Sequence, residues 1–182
     1  MKIRILTLFL LVSGFCFAQE KNGGQKDKSG DESSVKTSAL YDAASKKMDK
    51  QDFKGALEDL NSLLDINPSL SFARYNLAHV YYELGDFKVA QENYLILLKD
   101  NPSNIDALFN ISIIRSLLND DESALETFAS LIKVQNKNAK NYLNRGLVYH
   151  KIGKFELARQ DWQSAADLGS KEGADLLKQF PK

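Results

Sequence analysis

Residues 71–104 read SFARYNLAHVYYELGDFKVAQENYLILLKDNPSN, and this stretch decides the fold. Arg74, Leu77, Ala78, Tyr81 and Leu84 recur at i, i+3, i+4, i+7 and i+10, the spacing of one face of a helix. Phe87, Ala90, Tyr94, Leu97 and Leu98 repeat that spacing after a break at Gly85-Asp86. Glycine suits a helix C-terminus because it enters the left-handed region without steric cost. Asn101-Pro102 ends the second helix, since proline cannot continue it. The stretch therefore predicts helix A, a tight turn, helix B and a short connection.

The same unit recurs along the chain. Ala56, Ala90, Ala124 and Ala158 are each 34 residues apart. Four residues after each stands Leu60, Tyr94, Phe128 or Trp162, and three further on Leu63, Leu97, Leu131 or Ala165. Twelve residues before each alanine is a small residue: Ala44, Ala78, Ser112 and Gly146. The turn position holds Gly85 and Gly153, with Asn119, which tolerates left-handed backbone, and Gln51, which suits it less. Asn67-Pro68 closes the first copy as Asn101-Pro102 closes the second, while Asn136 and Ser170 replace the prolines in the last two. A repeat of this length is the signature of stacked supersecondary units, each unable to bury its apolar face alone.

These columns resemble the tetratricopeptide repeat, a 34-residue helix–turn–helix unit. Copy two carries the resemblance best, with Leu77, Ala78, Tyr81, Gly85, Phe87, Ala90, Tyr94 and Pro102 in place. Lys47 and Arg115 stand where the family favours tyrosine, Arg145 where it favours an aliphatic residue, and Asp121 where it favours an aromatic one. The expected fold is an all-α, tetratricopeptide-type helical-hairpin solenoid of four repeats, eight helices, with a short C-terminal capping helix. The repeats are placed at 37–70, 71–104, 105–138 and 139–172, and the cap at 173–182, where Leu176, Leu177 and Phe180 cover the last repeat's apolar face.

The N-terminus carries a different signal. Lys2 and Arg4 precede an apolar run from Ile5 to Ala18, with small residues at its end, as in a Sec signal peptide spanning 1–18. The run is short for a bilayer span, so a membrane anchor is the weaker alternative. Acylation of Cys16 is a second alternative, disfavoured by Phe15 where lipoprotein signals want a small residue. A chain cleaved after Ala18 keeps 22 basic and 24 acidic residues and has no cysteine, hence no disulfide framework. Residues 19–36, QEKNGGQKDKSGDESSVK, bury too little apolar surface to offset ordering entropy and read as a disordered polar linker.

Composition excludes several functions. Basic and acidic residues balance at 24 each, so the basic footprint a nucleic-acid partner requires is missing. His79 and His150 lie in different repeats, without the spacing of a metal pair, and no P-loop, nucleophile elbow or dinucleotide motif occurs. The sequence therefore implies no enzyme, no metal site and no cofactor.

What the resemblance implies instead is a concave groove, lined by helices A, that receives a peptide or partner protein. Carried over by position, its residues are Phe72, Tyr75, Asn76, His79 and Tyr82 in copy two, with Glu83 beside them. Copy three supplies Phe109, Asn110, Ile113 and Leu117, and copy four Lys140, Leu143, Asn144 and Leu147, with His150 following. Tyr41, Asp42, Ser45 and Met48 are the copy-one equivalents. Phe72, Ile113, Leu117 and Leu147 are apolar where generic repeats are polar, so they either contact a partner or pack internally. The clamp by which some relatives hold a C-terminal carboxylate is incomplete: Tyr75, His79, Asn110, Lys140 and Asn144 lack its first lysine and its arginine. The function expected is an exported, secreted or periplasmic interaction scaffold, with no membrane insertion of the mature chain. The alternative is a self-associating, homo-oligomeric subunit of an envelope complex.

Overpacking a close helix contact costs about 1–3 kcal/mol. Ala90→Leu is therefore expected to lower the melting temperature in a thermal unfolding scan, and an unchanged melt would count against the repeat register.

Overall fold

The computed structural model describes residues 32–181. The expected export signal, 1–18, and most of the 19–36 stretch lie outside the described residues. Nine helices and no strands occur among the described residues: α1 (Glu32–Asp49), α2 (Phe53–Ile66), α3 (Ser71–Glu83), α4 (Phe87–Asp100), α5 (Ile105–Leu117), α6 (Asp121–Val134), α7 (Ala139–Lys151), α8 (Phe155–Asp167) and α9 (Lys171–Gln179). The all-α hairpin fold read from the 34-residue period is the fold observed. Odd-numbered α1 to α7 are helices A, their even-numbered successors helices B, and α9 is the cap. Helix α1 begins at Glu32, within the stretch read as linker, and α9 begins at Lys171 with the Ser170 hydroxyl accepting from the Gly173 amide.

One turn closes every hairpin. Gln51, Gly85, Asn119 and Gly153, spaced by the repeat, all have positive φ, at 59°, 84°, 66° and 79°. At each, two reverse hydrogen bonds satisfy carbonyls that the ended helix leaves open. In copy two the Gly85 amide donates to the Tyr82 carbonyl at 3.0 Å and the Asp86 amide to that of Tyr81 at 2.9 Å. Gln51 and Asp52 make the same pair to Met48 and Lys47, at 2.9 and 2.8 Å. The glutamine that looked poorly suited thus adopts the left-handed geometry regardless, because the turn is imposed by the two helices it joins. The residue after the turn starts helix B, and the Asp52 carboxylate accepts from the Gly55 amide at 3.0 Å as its cap.

The described residues form two compact units, one up to Ala107 and one from Leu108 onward. In the first, Ala44, Met48, Ala56, Leu60, Leu63, Ala73, Leu77 and Val80 make a buried cluster, the small-residue and alanine columns lying together. In the second, Gly146 on α7 lies so close to α8 that a Cβ there would stand 2.6 Å from the Trp162 ring and 3.1 Å from the Ala158 carbonyl oxygen. The small residue twelve before each alanine is therefore a contact between the two helices of a hairpin.

The turn column yields a paired test. A left-handed conformation costs a non-glycine residue about 1–2 kcal/mol. Gly85→Ala meets no atom within 4 Å and so carries that backbone cost alone. It is expected to lower stability in urea by about 1 kcal/mol, whereas Gln51→Gly raises it by a few tenths to 1 kcal/mol.

Candidate partner-binding surface on the helices A

One cation of each helix A is consumed inside its own hairpin. Asp59, Asn93, Thr127 and Asp161 occupy one column of helices B, 34 residues apart, and a cation from the same hairpin's helix A answers each of them. Lys47 Nζ is 2.7 Å from Asp59 Oδ2, which pushes the lysine above its ordinary pKa. Arg74 reaches Asn93 Oδ1 at 3.4 Å and the Pro68 carbonyl at 3.0 Å. Arg115 donates to Thr127 Oγ1 at 2.7 Å. Arg145 grips both oxygens of buried Asp161 at 2.7 Å, and its guanidinium lies 6.0 and 5.8 Å from the Tyr142 and Tyr149 ring centroids. A bidentate pair of this kind is the strong form of a charged hydrogen bond.

This polar column was missed in the sequence, although its period is the same as that of the apolar columns. Lys47, Arg115 and Arg145, three of the departures from the family pattern, are the cations that serve it. The fourth departure, Asp121, is tied as well: Lys151 Nζ and Ser116 Oγ both donate to its Oδ1 at 2.8 Å, and Lys151 also donates to the Ser116 carbonyl.

The expected groove positions divide by accessibility. In the first unit Tyr75, His79 and Tyr82 are buried; the Tyr75 ring meets Tyr94 edge-on at 5.5 Å, and Tyr82 leans on Phe87 at 5.6 Å. Burial, aided by Glu83, pushes the Tyr82 phenol up to about 12. His79 Nε2 lies 3.4 Å from Glu83 Oε1, one turn on. Phe72 and Asn76 are half-buried; Phe72 packs against the core on one side and meets Tyr41 edge-on at 5.0 Å. Of the other copy-one positions, Met48 is buried, Ser45 half-buried and Asp42 exposed.

In the second unit Asn110, Ile113, Leu143, Asn144 and Leu147 are buried, Ile113 at 3% and Leu147 at 1% exposure. The Asn144 amide is spent on the Lys140 carbonyl at 2.9 Å. Phe109 and Leu117 are half-buried, Phe109 meeting Phe128 edge-on at 6.0 Å, and Lys140 is exposed. The positions with surface to offer are thus Tyr41, Asp42, Ser45, Phe72, Asn76 and Glu83 in one unit and Phe109, Leu117 and Lys140 in the other. Among the described residues no group of three or more His, Cys, Asp or Glu side chains could hold a metal ion, and no helix is long and apolar enough to cross a membrane.

Helical hairpins repeated at one period, with their chemistry turned inward and aromatic and amide side chains on helices A, define a helical-repeat protein. The chain belongs to the tetratricopeptide repeat-like family, whose domain model matches residues 21–179. Among solved structures it is similar to YrrB, described as a tetratricopeptide repeat protein with an unusual peptide-binding site. The identity there is 21%, covering 79% of this chain and 75% of that one with a TM-score of 0.71. It is similar also to MamA, at 20% identity over 74% of each chain with a TM-score of 0.67. A tetratricopeptide repeat protein from Parabacteroides merdae ATCC 43184 matches at 22% identity, over 76% of this chain and 56% of that one, with a TM-score of 0.68. At such identities the likeness is one of fold. No curated protein sequence matches the chain.

Removing one partner of a buried ion pair costs about 3–5 kcal/mol, because the other charge is left unpaired. Arg145→Leu, which restores the residue type the family favours, is therefore expected to destabilise the protein by about 3 kcal/mol in chemical denaturation. Adding Asp161→Leu should recover most of that loss.

Proposed function

We propose that the protein is a non-enzymatic scaffold, exported to the cell envelope, that holds a peptide or partner protein on the concave faces of its helices A. Such a scaffold would serve envelope assembly or secretion. The family and fold are those of protein-interaction scaffolds, whose members typically bind protein or peptide partners. The observation that carries the reading to particular residues is the accessibility of the helix A positions.

In the first unit Phe72 and Tyr41 present apolar surface, with the Asn76 amide one helical turn after Phe72; in the second, Phe109 and Leu117 present apolar surface on one helix A and Lys140 stands exposed on the next. Each patch, taken within its own unit, suits a short segment bound through a few aromatic contacts and polar hydrogen bonds. Buried Tyr75, His79 and Tyr82 in the first unit, and Asn110, Ile113, Leu143, Asn144 and Leu147 in the second, lie on the same helices as these patches. Export rests on Lys2, Arg4 and the Ile5–Ala18 run.

Two measurements test the proposal. Residues 1–18 fused to a reporter that is active only outside the cytoplasm should give activity, and a silent fusion would remove the export claim. The chain from Gln19 onward should retain a specific protein from the native envelope, identified by mass spectrometry. Asn76→Arg with Lys140→Glu, both at accessible positions, should reduce that retention at least tenfold, about 1.4 kcal/mol, without changing the melt. Equal retention by variant and parent would overturn the assigned surface. Light scattering on the same material gives the mass, and a stable dimer that binds nothing would favour self-association.

A further inference from the structure

The last repeat ends in a cluster of rings. Because Gly146 has no side chain, Trp162 packs hard against α7, which brings its ring centroid 5.4 Å from that of His150. Phe155 lies 5.1 Å from His150 on another side. Phe180, just past α9, closes over both, 4.4 Å from His150 and 5.7 Å from Trp162. The Arg159 guanidinium fixes the backbone of this tail by donating to the Phe180 carbonyl and, at 3.4 Å, to that of Leu177. Phe180 falls in the column of Ala44, Ala78, Ser112 and Gly146, so a large ring stands here where every repeat has a small residue.

We propose that this tail is a proton-released latch: Phe180 closes over His150 and Trp162 while His150 is neutral, and withdraws when His150 becomes charged.

The His150 side chain is half-buried against three rings, those of Phe155, Trp162 and Phe180. The ionisable groups on the elements around it are engaged elsewhere or exposed, Lys140 and Asp167 being among the exposed. On α7, Lys151 is bound to Asp121 and Arg145 to Asp161 on α8. On α8, Arg159 holds the tail carbonyls, and Lys154 and Glu156 are exposed. On α9, Glu172 accepts from the Ser170 hydroxyl, Asp175 pairs with Lys178, and Lys171 is exposed.

An imidazolium among these rings gains some attraction from their faces, on the order of 0.5–2 kcal/mol. Partial burial among the rings also strips part of its hydration. Burial pushes the His150 pKa below the ordinary histidine value of 6.5. The sign follows from linkage. The released tail binds the proton more readily than the closed one, so closure is fully supported above the ordinary histidine range. It weakens as pH falls through that range towards the lowered value.

Trp162 is the only tryptophan, so its emission reports this cluster directly. In the full chain the emission maximum should shift to the red between about pH 7 and 5, where histidine titrates. His150→Gln should abolish that shift, and Phe180→Ala should show the shifted emission already at neutral pH. A wild-type maximum that stays fixed through this range, or a shift that persists in His150→Gln, would overturn the latch. Proton NMR gives a second reading that needs no change at His150. With His79→Gln leaving a single histidine, adding Phe180→Ala should raise the His150 pKa towards its ordinary value, and an unmoved pKa would equally overturn the proposal.

Discussion

The close approach of helix A to helix B within each hairpin is the constraint on which the rest depends. In the fourth hairpin Gly146 leaves no room for a Cβ against Trp162 and the Ala158 carbonyl. Once two helices are held this near, the turn joining them has little freedom. That is why Gln51 and Asn119 take the same left-handed backbone as Gly85 and Gly153. The local preference of glutamine, worth about 1–2 kcal/mol, yields to the packing of two whole helices.

The same closeness raises the stakes for any polar group at the seam. Asp161 and Asn93 are buried on helices B, and a buried carboxylate is tolerated only when it is paired and hydrogen-bonded. Each hairpin solves this with a cation from helix A, but from different registers: Lys47 and Arg115 share one column, whereas Arg74 and Arg145 come from two others. Long flexible side chains allow this, since they can reach one target from several Cα positions. What reads as drift from the family pattern is a set of matched pairs. It also turns one cation of each helix A inward, towards its own hairpin.

The candidate surface shows the same division between pattern and packing. Phe72, Ile113, Leu117 and Leu147 are alike in sequence, each apolar where a repeat is commonly polar. In the structure Ile113 and Leu147 are buried, while Phe72 and Leu117 keep surface. Helical register places a residue on a face, but how much of that face is covered depends on neighbouring side chains distant in sequence. His150 is similar: its register places it on helix A, and a ring thirty residues later in the chain covers it.

The sequence by itself determined the all-α class, the hairpin unit, its turns and the membership of each column. Those follow from spacing, because a 3.6-residue helical turn and a 34-residue unit fix which positions share a face. Only the tertiary structure decided which charges pair, which candidate groove residues keep surface, and how the C-terminal tail joins His150 and Trp162. Those outcomes depend on distances between side chains on separate helices, which no local pattern encodes.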